Sequence, residues 1–160
     1  MARGGNDMNG KRMAGAIAGG LVAGLGLTAM MMLQEKKTGK PSELTDLGRA
    51  SAAKLGRVTS PADQLPSPSE QSVTQGGHLA LSALAGATYA AATDDAADPL
   101  MSGIAFGLAF YVAAHWITGP ALGVKAPEWE SDRLTIGVHT MNHVLFGLIT
   151  AAVAKAAGKA

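Results

Sequence analysis

Cysteine is absent from the 160 residues, which excludes disulfides, thiol catalysis and thiolate metal sites together. Charge is scarce as well. Asp, Glu, Lys and Arg make up 16% of the chain, against about 25% in an average soluble domain. The charge present avoids four stretches, residues 13–33, 71–93, 100–124 and 134–154, where none of these four residue types occurs. A helix with a solvated outer face needs charge there. Runs of this length instead approach the roughly 20 residues that cross a bilayer core. A net charge of +1 lacks the basic footprint of nucleic-acid binding. No nucleophile elbow, zincin motif, P-loop or dinucleotide fingerprint occurs, so no catalytic residue is assigned.

What is present is a weakly hydrophobic, Ala/Gly-rich chain with a mean hydropathy of +0.18. A water-soluble bundle of Ala/Gly helices is the competing reading, and the charge-free runs argue against it. The first run follows Lys11 and Arg12 like a signal peptide, but its length exceeds the roughly 7–15 apolar residues of a signal core. A retained anchor fits better.

The expected fold is therefore all-α, one multi-pass membrane unit with four transmembrane helices. Residues 1–12, polar and rich in Gly and Asn, form a disordered N-terminus. Spans follow at 13–33, 73–92, 100–118 and 134–154, with a C-terminal tail at 155–160. Residues 34–72 make a polar connector. Within it, residues 41–58 read as a short amphipathic helix, with Leu44, Leu47, Leu55 and Val58 on one side and Glu43, Asp46, Arg49, Lys54 and Arg57 supplying charge. Such a helix can lie on the membrane surface. Gly15 with Gly19, Gly20 with Gly24 and Gly103 with Gly107 have the small-xxx-small spacing that brings helices close in lipid, and homo-oligomerisation through these faces is the expected use. Tyr111, Trp116 and Trp129 sit where aromatic belt residues sit. Five basic residues lie on the side of the termini and eight on the other side, but Lys11 and Arg12 flank the first span, whose charges usually dominate, and place the termini in the cytoplasm.

The four histidines, His78, His115, His139 and His143, all fall inside expected spans. Ionisable residues there are costly and mark function by default. In an up-down bundle all four lie within about 15 Å of one membrane face, at ~1.5 Å per residue. His139 and His143 share a helix face, as do His78, Ser82 and Tyr89, and Asn142 stands beside the first pair. Four uses are open. Imidazoles bind transition metals, ligate haem, handle protons, or simply hydrogen-bond between helices. The acidic run Glu128, Glu130 and Asp132 reads as a solvated loop before a cation site.

From His78 onward the order and spacing of His78, Ser82, Tyr89, Gly103, Gly107, His115, Pro120, Gly123, Pro127 and His143 resemble the YagU-like bacterial inner-membrane proteins, a family of uncharacterised function. The features span about half the chain. An acidic residue can stand at the family position matching His139. The resemblance implies a bacterial inner-membrane location and a link to stress or acid tolerance, and it implies no reaction. Ser82, Tyr89, Asn142, Pro120 and Gly123 are expected to form a supporting structural and polar network.

Overall fold

The computed structural model describes the backbone from Arg3 to Lys159 and the side chains from Gly10 to Lys159. Every regular element among these residues is helical: α1 (Arg3–Thr38), α2 (Glu43–Lys54), α3 (Pro68–Ala92), α4 (Pro99–Tyr111), a π-helical segment (Val112–Thr118), α5 (Gly119–Ala121), a 3₁₀ turn (Glu128–Glu130) and α6 (Arg133–Lys159). The starts are written locally. Ser67 and Glu70 form a capping box ahead of α3, with Pro68 in its first turn. Asp98 caps α4 by accepting from the Met101 amide at 2.9 Å. Asp132 accepts from Leu134 and Thr135 at 2.9 and 3.1 Å ahead of α6. Each cap satisfies amides that a helix start leaves without partners.

Among the described residues, three helical stretches are long and apolar enough to cross a membrane: Gly10–Thr38, Pro99–Ala121 and Arg133–Lys159. The fourth long helix, α3, was the most polar of the expected spans. The packing is that of an all-α membrane protein. Small residues such as Ala16, Ala23, Ala85, Ala151 and Ala154 are buried, whereas Leu25, Leu81, Leu84, Met141 and Leu145 face outward. Large apolar side chains outside and alanines inside suit a lipid solvent and would be costly in water.

Glycine pairs set the helix order. Gly15 and Gly19 bring α1 against α6, where a methyl on Gly19 would lie 2.9 Å from the Thr150 Cα. Gly20 and Gly24 bring the same helix against α3 at Ser82 and Gly86. A shift of five residues is about 140° around a helix, so the two pairs serve two neighbours. Gly103 and Gly107 of α4 meet Gly147 and Val144 of α6. The sequence around the bundle is α3, α1, α6, α4, and Tyr89 closes the last gap edge-on to Phe106 with its hydroxyl 2.7 Å from Ser102. All three Gly-xxx-Gly pairs thus pack against the chain's own helices.

The N-terminal end differs from the expectation. Residues 3–12 continue α1 instead of being disordered, and Met1 and Ala2 lie outside the described residues. The helix is held from inside: Arg12 donates to the carbonyls of Ala90 and Thr93 at 3.0 and 2.8 Å, at the C-terminus of α3 where a cation is favoured, and pairs with Asp95 at 3.4 Å. Arg12 is buried, which removes it from the charges available to headgroups and weakens the orientation drawn from it. The tail is likewise helical to Lys159, with Ala160 outside the description.

The connector holds its short helix over a narrower range than residues 41–58. α2 buries Thr45 and Arg49, whereas Leu55 and Val58 lie beyond its end and are exposed. Polar contacts outweigh the leucine stripe. Glu35 at the end of α1 accepts from the Ser42 amide and hydroxyl at 2.8 and 2.7 Å and from Thr45 at 2.5 Å. Arg49 donates to Glu70 at 2.7 Å and to the Gln64 carbonyl at 2.8 Å. Gly48 allows close approach to Thr74 of α3. α2 therefore lies across one end of the bundle.

The Glu70 carboxyl is held below its ordinary 4.5 by the Arg49 guanidinium. Its contribution to holding the connector is present above that value and is lost as pH falls through the depressed one. Arg49→Met is expected to raise amide exchange across residues 43–66 at neutral pH while exchange in α4 and α6 stays at wild-type levels. Unchanged connector exchange in that variant would show the anchor to be idle.

Candidate metal centre

At the end of the bundle capped by α2, the last turn of the 99–121 helix opens into the π segment. The Gly119 amide bonds the Ala114 carbonyl, five residues back, and Pro120 has no amide to continue the α pattern. Such π insertions often occur at functional sites, and His115 sits in this one. The helix then closes with the Val124 amide on the Gly119 carbonyl at 3.1 Å and the Gly123 amide on the Pro120 carbonyl at 2.9 Å, Gly123 having φ +63°. This is the Schellman arrangement, whose left-handed position favours glycine. Pro120 and Gly123 thereby act as the supporting residues expected of them. They turn the chain back so that Lys125 and Glu128 point into the bundle.

Glu128 is the centre of the site, with no exposed surface. One oxygen, Oε1, accepts from the Tyr111 hydroxyl at 2.9 Å and lies 2.5 Å from His139 Nδ1. The other, Oε2, lies 3.3 Å from His115 Nδ1 and 3.1 Å from Lys125 Nζ. Lys125 also pairs with Glu43 of α2, and Glu43 meets His139 again at Nε2. His143 donates from Nδ1 to the His139 carbonyl at 2.8 Å, and its ring stands 4.8 Å from that of His115.

The electrostatics follow from these contacts. Burial raises the Glu128 carboxyl, but the hydrogen bonds from His139, Lys125 and Tyr111 outweigh it and pull the group down to about 2. Burial likewise raises Glu43, and His139 with Lys125 bring it down to about 2. Burial lowers Lys125, but its two carboxylate partners win and hold it above its ordinary value. Both carboxylates and the ammonium are charged at neutral pH.

Neutral His115 and His139 directing Nδ1–H at Glu128 would each keep a lone pair on Nε2, whereas protonated His139 donates from both ring nitrogens, to Glu128 and to Glu43. On neutral His139 that lone pair faces a Glu43 oxygen. Two lone pairs meet only with a positive centre between them, a shared proton or a metal ion. Glu43, His115 and His139 each offer one ligand atom, all within 4.8 Å of one another. The rings of His115 and His139 stand 4.7 Å apart, which leaves no slot between them for a haem macrocycle.

Three of the four histidines therefore meet and the fourth does not. His78 lies between α3 and α1, with Nδ1 3.0 Å from the Thr28 hydroxyl, which donates to Gln75 at 2.9 Å. Ser82 donates to the His78 carbonyl at 2.9 Å and packs against Gly24. Tyr89 is buried toward the other end of the bundle, beside Arg12. Asn142 is half-buried and makes no hydrogen bond among the described residues. Tyr111, expected in an aromatic belt, is instead buried in the centre, whereas Trp129 is 60% exposed.

No family model, curated protein or solved structure matches this chain. The site accordingly stands on its own geometry. Sequence reasoning missed Glu43 and Lys125 and read Glu128 as solvated. The one local signal for Glu128 is its place between Pro127 and Trp129 in a short loop joining two apolar runs.

Proposed function

We propose that the chain is a bacterial inner-membrane protein that binds a divalent transition metal through Glu43, His115 and His139. The observation carrying this reading is that His115 and His139 both meet one buried carboxylate, Glu128, through Nδ1, while Glu43 joins the same pair of rings with the three ligand atoms within 4.8 Å of one another. A ligating histidine almost always gives its other N–H to a carboxylate or carbonyl, which fixes the ring and raises its basicity. Two imidazoles and one carboxylate suit zinc, cobalt, nickel or iron, and leave a fourth position open. Bound metal would tie α2 to α6 and to the π segment, so that the connector and the bundle respond together. The inner-membrane location and the stress link come from the resemblance to YagU-like proteins. The geometry of the centre favours the metal over haem.

Cobalt titration of the detergent-purified protein tests the reading. One equivalent of Co²⁺ with visible d–d absorption is expected. His139→Gln and Glu43→Gln should abolish it, and His78→Gln should leave it intact. Absorption that persists in His139→Gln, or no binding by the wild type, would sink the assignment.

A further inference from the structure

Residues 35–70 hold six bases and five acids, a nearly neutral stretch when read along the chain. The fold separates them. Glu35 is buried under Ser42 and Thr45, Glu43 is engaged by Lys125 and His139, and Glu70 is paired with Arg49. Lys36, Lys37, Lys40, Lys54 and Arg57 remain exposed, against Asp46 and Asp63. The adjacent loop adds exposed Glu130, Asp132 and Arg133, so the excess of positive charge belongs to the connector.

Two further observations say what this surface meets. It begins in the last turn of α1, at the end of the segment long and apolar enough to cross the bilayer, where Lys36, Lys37 and Lys40 are exposed. Beside Lys54 and Arg57, Leu55 is 77% and Val58 100% exposed. Bases with exposed aliphatic side chains between them match an interface whose phosphates lie over acyl chains. An acidic protein surface would have no use for Val58.

We propose that residues 36–58 form a docking surface for anionic headgroups of the bilayer the chain itself spans, with the bases on phosphates and Leu55 and Val58 in the acyl boundary. This surface does not depend on the metal centre. The chain has no cysteine, so Ala53→Cys gives a single labelling site on the exposed end of α2. The full-length protein carrying an environment-sensitive fluorophore there is reconstituted in phosphatidylcholine vesicles and in an equimolar mixture with phosphatidylglycerol. The expected result is a blue-shifted emission and weaker quenching by iodide in the anionic vesicles, reversed by high salt. The difference should vanish when Lys36, Lys37, Lys40, Lys54 and Arg57 are replaced by Gln. Identical emission and quenching in the two vesicles would overturn the proposal, as would a difference that survives the Gln substitutions.

Discussion

Glu128→Gln is expected to weaken cobalt binding about 10–100-fold and to destabilise the bundle, although the side chain keeps its shape. The carboxylate presents two acceptor oxygens to four donors, from Tyr111, His115, His139 and Lys125. An amide presents one acceptor and one donor. Its NH₂ must therefore face a ring N–H or the Lys125 ammonium, and whichever imidazole loses its acceptor is free to turn its lone pair away from Glu43. Removing one partner of a buried ion pair costs about 3–5 kcal/mol, because the charge left behind stays desolvated. Melting in detergent and the cobalt spectrum read the two effects separately. A variant with wild-type melting and affinity would show that Glu128 neither holds the rings nor balances Lys125. Glu128→Asp should fall between, since it keeps the charge and shortens the reach.

Gly147→Leu should also destabilise the bundle strongly. A methyl at Gly147 already meets the Gly103 carbonyl oxygen, with the Gly107 nitrogen and Cα at 2.8 and 3.0 Å. These are backbone atoms of α4, which cannot rotate aside as a side chain would. The helices must part, and overpacking of this kind reaches about 3 kcal/mol or more. Because α4 leads into the π segment, displacing it also moves His115, so cobalt binding should fall with stability. Gly77 supplies the control: nothing lies within 4 Å of its Cβ position, and Gly77→Ala should be neutral or stabilise by about 0.5–1 kcal/mol through helix propensity. Equal melting temperatures for the two variants would remove the close α4–α6 contact from the account of the fold.

What could be read along the chain was what lipid imposes locally. A bilayer forbids charge over some twenty residues, so the helical runs and their all-α character followed from composition. Depth in the membrane is also a one-dimensional quantity, which is why His115, His139 and His143 were expected at one face and are found together. Direction around a helix is not. His78 has the right depth, but Gly20 and Gly24 draw α3 onto α1 and His78 bonds Thr28 instead of joining the Glu128 cluster. The partners of the histidines lay further out of reach. Glu43 arrives from a connector that the leucine pattern oriented wrongly, because hydrogen bonds at Glu35 and Arg49 outweigh a few exposed apolar side chains. Glu128 arrives from a loop whose turn depends on a π segment and a left-handed glycine.

The sequence alone thus determined that this is a chain of apolar helices with histidines near one end. Tertiary structure decided which histidines meet, which acids they meet and which charges are left facing outward. The physical reason is that burial is a property of neighbours. A carboxylate costs several kilocalories per mole to bury alone and can be held there only when donors from separate elements converge on it, as Tyr111, His115, Lys125 and His139 do on Glu128.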